Sequence, residues 1–444
     1  MLTQRIEAIR QNYVNTKPQI SCERAKIWTD SHRETEDSRW PSAGPAVYDC
    51  CDRLGVHIFA GELVVGAIGE FRKCGILTPE FSWMWVDREM DTFDTRPQDP
   101  YRMTDDQRAF VRREIFPYWK GKSLEEAFLA RLPEDTYRIG VDTGVLDNDS
   151  KWRQAVGEIT PDYQDVLFKK GFGGILREAE DHLAALDSTN PEDLAKREFY
   201  HSVCWTSRGI IRYANRYAQA AEAMAEQEKD PVRAQELRRI ARNCRRVPEH
   251  PPESFYEAIQ FLWFVQVGGI LSENPLSLNP GRFDQYMAPY YEADLAQGTL
   301  DEAFAQELVD ALWLKYSEWV WTISANTADY FAGYNQFQTS PWAASGGTEG
   351  RNQSGDLPGA QGHRRGQDPP ARPVRPGAGG LSQGISGRGD PPGVQRHWVS
   401  RHSQRQRGLS DASQRRLCPG GCPGLEQLRL RGPHYRKTGE WTAR

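Results

Sequence analysis

The sequence contains no apolar run long enough to span a bilayer and no signal-peptide core near its start, which argues against a helical membrane protein and predicts a cytoplasmic one. It contains no Cys-x-x-Cys pair. Its eight cysteines (22, 50, 51, 74, 204, 244, 418 and 422) are scattered, and Cys50 and Cys51 are too close for an ordinary disulfide. Neither a zinc site nor a disulfide framework is therefore expected, and reduced thiols suit a reducing compartment. Net charge is also small, −5 over 444 residues, which gives no sign of a nucleic-acid partner. The glycine-rich run Lys169-Lys170-Gly171-Phe172-Gly173-Gly174 lacks the Gly-Lys-Ser/Thr of a phosphate loop and has no clear strand before it.

The small net charge conceals a break. Residues 1–337 carry a net −15, while residues 338–444 carry +10 and hold 20 of the 39 glycines and 11 of the 28 prolines. That tail has no Phe and a single Ile, Ile385. Such a composition buries too little apolar surface to offset chain entropy, so a basic, disordered tail is expected.

Before the break the chain reads as mostly helical. Residues 3–13 and 20–29 have the pattern of short amphipathic helices. The run from Val56 to Glu70, punctuated by Gly61, Gly66 and Gly69, predicts a strand pair turning near Ala60-Gly61-Glu62. Capping boxes at Thr104–Gln107, Ser123–Glu126 and Thr299–Glu302 predict helix starts. Long helical tracts are expected over about 192–228 and 231–245. The stretch Pro251 to Asp294 organises the rest: an apolar helix with Phe255, Ile259, Leu262, Val265 and Gly269 three or four residues apart, a polar crossing from Ser272 to Arg282, then an aromatic segment from Phe283 to Tyr291. A buried helix that delivers a polar loop into a large chain can floor a pocket, or can simply be a core helix with a surface loop.

That stretch carries a family likeness. Phe255-Tyr256-Glu257-Ala258-Ile259-Gln260-Phe261-Leu262-Trp263-Phe264, then Ser272-Glu273-Asn274, then Pro280-Gly281-Arg282-Phe283-Asp284-Gln285-Tyr286 resemble the glycyl radical enzymes, the family of pyruvate formate-lyase and the glycerol, propanediol, choline and hydroxyproline lyases and dehydratases. Gly61-Glu62-Leu63-Val64-Val65-Gly66, Thr160-Pro161-Asp162-Tyr163, Lys170-Gly171-Phe172 and Ala332-Gly333-Tyr334-Asn335-Gln336-Phe337-Gln338 follow in the family's order. The resemblance covers about residues 1–338. It implies an α/β fold, the N-terminal, mostly helical half of a ten-stranded barrel, followed by an irregular tail. It also implies a small-molecule substrate cleaved at a C–C, C–O or C–N bond after thiyl-radical hydrogen abstraction. No cofactor is bound directly; a glycyl radical is expected in the full-length family, installed by a radical S-adenosylmethionine activating enzyme. A homodimer is an open possibility, and no membrane or nucleic-acid partner is expected.

The likeness stops within a motif. Deleting one A from CAG AAC CTC ACC GTG GGC GGC turns Gln-Asn-Leu-Thr-Val-Gly-Gly into Gln-Thr-Ser-Pro-Trp-Ala-Ala, the sequence of residues 338–344. Asn352 to Gly362 and Pro369 to Gly377 are likewise compatible with a shifted frame encoding a family-like continuation. Residues 339–444 are thus expected to be an out-of-frame tail after an incomplete domain spanning 1–338, and the chain to be inactive as written. A basic tail that binds single-stranded nucleic acid is the other reading of the same residues. Gly421-Cys422 is followed by Pro423-Gly424, so the role of thiyl cysteine is not carried over to Cys422, and no catalytic residue is assigned.

The resemblance does mark substrate-facing positions. The family's Asn-Gly-His-Ser crossing stands here as Asn274-Pro275-Leu276-Ser277, and the Gly-His before the Pro-Asp-Tyr motif as Gly157-Glu158. Two hydroxyl-recognising histidines are thus replaced, which argues against glycerol or propanediol as substrate. Candidate substrate contacts are Glu158, as a base, a cation ligand or a solvated loop carboxylate, together with Asn274 and Ser277, which either bind substrate or cap the turn. Gly281, Arg282 and Asp284 are expected to be structural, with Arg282 and Asp284 as a pair. Pyruvate formate-lyase proper is an alternative activity, and a helical, non-enzymatic interaction protein is an alternative class.

Overall fold

The computed structural model describes residues 2–35, 43–141, 143, 145, 158–275, 277–330, 434–435 and 441–442. The chain divides into two units, Met1–Pro370 and Ala371–Arg444. In the second, the described residues form one antiparallel pair, His434–Tyr435 against Trp441–Thr442. The other expectations for residues 339–444 lie outside the described residues.

Helix starts in the first unit follow local capping. α1 (Gln4–Asn15) begins where the Thr3 side chain accepts from the Ile6 amide. Residues 19–21 pair as β1 (Gln19–Ser21), so the helix expected from 20 starts later, as α2 (Glu23–Glu34). α3 (Ala43–Arg53), β2 (Cys74–Ile76) and α4 (Met84–Glu89) follow. The Thr104/Gln107 capping box forms in full ahead of α5 (Asp105–Phe110). After α6 (Phe116–Trp119), Ser123 caps α7 (Leu124–Leu129) by accepting from the Glu126 amide. Next come α8 (Glu134–Thr136) and β3 (Glu158–Ile159), then α9 (Phe168–Ala184), α10 (Pro191–Gln227) and α11 (Pro231–Arg246). The long tracts thus lie within a residue or so of expectation. α12 (Phe255–Glu273), β4 (Ser277–Leu278) and α13 (Phe283–Gln297) make up the organising stretch, and its aromatic segment proves to be the start of a helix. α14 (Glu302–Glu318) is capped by Asp301, which accepts from the Phe304 amide, rather than by Thr299 as the sequence suggested. β5 (Trp319–Val320) and α15 (Ala325–Tyr330) complete the unit.

The glycines of α9 serve packing. Gly171 has φ of 63°, and a Cβ there would collide with the Glu249 carbonyl. The Phe172 and Gly173 amides donate to the carbonyls of Pro248 (2.8 Å) and Glu249 (2.9 Å). Protein carbonyls therefore occupy the donors that a phosphate would need.

The strands form two parallel sheets. In the first, β2 lies between β1 and β5, with Gln19 opposite Cys74 and Cys74 opposite Trp319. In the second, β3 pairs with β4, placing Glu158 opposite Ser277 and Ile159 opposite Leu278. Parallel strands need long crossovers, and helices supply them here. The core is continuous around α12, of whose 19 residues 15 are buried.

The expected strand pair over 56–70 does not form. Residues 63–67 are buried but irregular, and side chains satisfy their backbone. Gln260, 1% exposed, accepts from the Val65 amide (2.9 Å) and donates to the Val65 carbonyl (2.8 Å). Trp263 donates to the Gly66 carbonyl (2.9 Å), and Tyr256 donates to that of Leu63. The Ala67 amide donates to Tyr213 and Tyr217 of α10, both at 2.9 Å. The apolar, glycine-punctuated run that suggested a strand pair is a segment flanked by two helices whose polar groups replace a strand partner.

Cys50, Cys51, Cys74 and Cys244 in this core, and Cys204 in a smaller cluster, are free and buried. Burial raises each thiol's pKa, which favours the inert protonated form. Among the described residues no helix is long and apolar enough to cross a membrane.

Replacing Gln260 with Leu should cost about 2–4 kcal/mol, because it leaves the Val65 amide and carbonyl buried without partners. Urea unfolding of Gln260→Leu measures this. A change below about 0.5 kcal/mol would mean that the amide does not hold the segment.

Candidate functional site

The site is built at the C-terminal end of α12. The helix stops because Asn274 takes the left-handed conformation, φ 45° and ψ 55°, which Asn tolerates better than most side chains. Its amide closes the last turn onto the Ile270 carbonyl (2.8 Å). The carbonyls left free at the helix end are held by Arg24. This fully buried guanidinium donates to Leu271 (3.0 Å) and Ser272 (3.2 Å), and to Leu77 (3.4 Å) across the core. Glu80 pairs with it at 2.6 Å, and it stacks 3.8 Å from the Trp28 ring. A cation fixed at a helix C-terminus also matches the macrodipole.

β4 then turns back across the helix. Leu278 packs against Gly269, where a Cβ would sit 2.9 Å from Leu278 Cδ2. The Asn279 amide extends the β3–β4 pairing by donating to the Ile159 carbonyl (2.7 Å). Gly281, with φ of 71°, makes the turn into α13.

Of the residues singled out by sequence, Glu158 and Ser277, 119 positions apart, are backbone partners in the register of the strand pair. Leu276 lies outside the described residues. Asn274 lies three residues before β4 and is fully buried. Its Oδ1 accepts from Trp319 (3.2 Å) and its carbonyl accepts from Trp321 (3.1 Å), while Nδ2 has no partner among the described residues. Asn274 thus ends the preceding helix through its backbone, while its side chain is engaged by Trp319 and not by the turn that follows. The expected Arg282–Asp284 pair is not formed. Arg282 precedes α13 and is exposed; Asp284 lies on the inward face, 2% exposed, with neither carboxylate oxygen partnered among the described residues. Two residues apart at a helix start, the side chains leave on opposite sides.

Glu273, the last residue of α12, is half-buried and takes part in no hydrogen bond or ion pair with the described residues. Burial pushes its carboxyl pKa up. A carboxylate at a helix C-terminus opposes the macrodipole as well.

Sequence reasoning missed a buried charge quartet on the other side of α12. Lys315 of α14 donates to Glu62 (2.8 Å) and lies 2.9 Å from Glu318, which pairs with Arg72. Glu62 also accepts from the Phe59 amide (2.9 Å). Burial alone would lower the Lys315 pKa; the two carboxylates outweigh it and hold the ammonium charged. A narrow cleft beside the quartet is lined by Gly66, Phe71, Cys74 and Trp263. The only local signal was a lysine interrupting the apolar run Ala311-Leu312-Trp313-Leu314 before Tyr316. With two cations balancing two anions, the quartet is a brace between residues 59–72 and α14.

Residues 2–354 match the family model described as pyruvate formate lyase-like. The chain is 32% identical over 367 residues to the isethionate sulfite-lyase of Nitratidesulfovibrio vulgaris, covering 80% of this chain and 44% of that protein. Among solved structures it is similar to one from Roseburia inulinivorans described for 1,2-propanediol dehydration, at TM-score 0.72 and 33% identity over 76% of this chain and 40% of that one. The glycerol-bound B12-independent glycerol dehydratase from Clostridium butyricum matches at TM-score 0.72 and 31% identity, over 76% and 42%. The chain spans less than half the length of the curated relatives it matches.

Two measurements check the electrostatics. Lys315→Met should destabilise the fold by about 3–5 kcal/mol in denaturant titration, since it leaves Glu62 and Glu318 uncompensated; a loss below about 1 kcal/mol would remove the brace. For Glu273 the folded state binds the proton more tightly than the unfolded chain. The associated stability is full below the ordinary carboxyl range, about 4.3, and is lost as pH rises through the folded value. Glu273→Gln should therefore be more stable than the parent at pH 7, with the difference closing toward pH 4. A parent more stable at pH 7 would reveal a cationic partner for Glu273.

Proposed function

Since the chain belongs to the pyruvate formate lyase-like family, the glycyl radical enzymes, we propose that it forms the substrate-side wall of a lyase or dehydratase acting on a small polar metabolite in the cytoplasm. The observation that carries the reading is the β3–β4 register, which sets Glu158 opposite Ser277 three residues beyond the buried Asn274. Arg24 fixes the helix end that leads toward this pair. The five short parallel strands suit the half-barrel that the family resemblance implies.

In this reading the chain's own residues bind and orient. Ser277 supplies a hydroxyl for hydrogen bonding, and Glu158 supplies a carboxylate as base or cation ligand. A glycyl radical would supply the hydrogen-abstraction chemistry, and no residue of this chain is assigned to carry it. A radical S-adenosylmethionine activating enzyme is the proposed protein partner. The division at Gln338 between an incomplete barrel domain and an out-of-frame tail, with the inactivity that follows, belongs to the same proposal. No observation favours formate acetyltransferase chemistry over lyase or dehydratase chemistry.

Ligand-observed NMR with the full chain and a panel of hydroxylated three-carbon compounds tests the wall. Ser277→Ala should weaken binding at least fivefold and leave the melting temperature unchanged. Equal binding by parent and variant, or no binding by the parent, would reject it.

A further inference from the structure

Two lysines are buried among the described residues, and they differ in what surrounds the charge. Lys315 has two carboxylates beside it, at 2.8 and 2.9 Å. Lys73, 8% exposed, has no hydrogen bond and no ion pair among the described residues. Its Nζ lies 3.9 Å from the centre of the Tyr13 ring, and unlike the orphaned polar atoms deeper in the core it keeps contact with solvent. The backbone holds it in place. Lys73 stands one residue before β2, and its carbonyl accepts from the Gln19 amide of β1 (3.0 Å). Tyr13 lies in the last turn of α1. The amine is thus the tip of a buried stem, resting on an aromatic face.

A lysine stem is ordinarily covered while its ammonium stays in water or beside a carboxylate. Lys26, Lys169 and Lys196 follow that rule with Asp30, Asp165 and Asp193. At Lys73 the Tyr13 ring is the compensation, and a ring quadrupole returns less than an ion pair with hydrogen bonds. Burial pushes the Tyr13 hydroxyl up to about 12, so it stays neutral and supplies no anion. Burial pulls the Lys73 amine down to about 8. At pH 7 that leaves about one amine in ten unprotonated, against about one in 2,500 at the ordinary 10.4. An unprotonated amine that reaches solvent is a nucleophile.

We propose that Lys73 is a covalent modification site that takes a short aliphatic aldehyde as an imine. The nitrogen lone pair adds to the carbonyl carbon, the carbonyl oxygen gains the proton that nitrogen gives up, and water leaves as C=N forms. Amine and aldehyde yield imine and water, with no oxidant or reductant. The surroundings select this class. No described residue donates to or accepts from Nζ. An acyl donor would leave an amide N–H and C=O there with no protein partner, and carbon dioxide would leave a carbamate charge with none. A neutral imine removes the uncompensated charge, brings no donor and lays its alkyl group on the Tyr13 ring. The inference is independent of the substrate-wall reading, since neither Glu158 nor Ser277 takes part.

Propanal with sodium cyanoborohydride at pH 7, applied to the full native chain and read by peptide mass spectrometry, tests the assignment. The hydride fixes each imine as a stable propylamine. Lys73 should be alkylated at least about fivefold faster than the exposed Lys17, Lys120 and Lys229. Tyr13→Glu supplies the missing carboxylate and should bring Lys73 down to the rate of those three, whereas Tyr13→Phe keeps the ring and should leave it fast. Because glutamate at position 13 can disturb α1, a circular-dichroism melt accompanies that variant, and the parent's ratio of Lys73 to Lys17 labelling decides alone if folding is lost. A Lys73 rate no greater than that of the exposed lysines would overturn the inference. So would labelling that appears only as urea is added, which reports opening of the fold. Fast labelling by acetyl phosphate with none by propanal would overturn it in favour of a site for acyl donors.

Discussion

A buried peptide segment must have its N–H and C=O groups satisfied, and that requirement sets the centre of this fold. Residues 63–67 enter the core without a strand beside them. α12 meets the demand with Tyr256, Gln260 and Trp263, spaced to reach Leu63, Val65 and Gly66 in turn, and α10 completes it with Tyr213 and Tyr217 at Ala67. The spacing of those side chains locks α12 in axial position and rotation against the segment. Its opposite end is then fixed by Arg24, so the point where the chain leaves the helix for β4 is defined from both sides. A single rigid post thus connects the inner packing to the strand pair at the candidate site.

The two ends of that post differ in electrostatics. Near residues 62–72 charge is balanced, with Arg72 and Lys315 set against Glu62 and Glu318. Arg24, at the other end, is also neutralised, by Glu80. The residues bordering β3–β4 have no such compensation: Glu273 and Asp284 lack counterions among the described residues. Compensated charges inside a protein brace it, whereas uncompensated ones await a proton, water or ligand. That contrast separates brace from site within one helix length.

Legibility in the sequence followed the range of each interaction. Caps act over three or four residues, so the starts at Thr104 and Ser123 could be read directly. The start near 300 was misplaced by two residues because Thr299 and Asp301 both have capping side chains, and the helix uses the second. The apolar period identified α12, and ordered motifs identified the family. The strand pair over 56–70 was misread because a glycine-punctuated apolar run records burial and does not show whether the partner is a strand or a helix carrying amides and hydroxyls. The charge quartet joins residues some 250 positions apart, which no local pattern encodes. Arg282 and Asp284 looked like a pair because they are near in sequence, but the first turn of α13 sends them apart. The Glu158–Ser277 register was likewise out of reach of spacing arguments: the resemblance marked both residues but not their pairing.

The buried thiols have a use apart from any chemistry of their own. Cys50 and Cys51 lie in α3, Cys74 in the three-stranded sheet, Cys244 in α11, and Cys204 in a smaller cluster between α9 and α10 with Ala179 and Tyr200. Each is shielded and held in its protonated form, so a thiol reagent reaches it only when that part of the structure opens. The native chain therefore carries internal clocks in separate parts of the fold, and the order in which they are labelled would trace which elements loosen first.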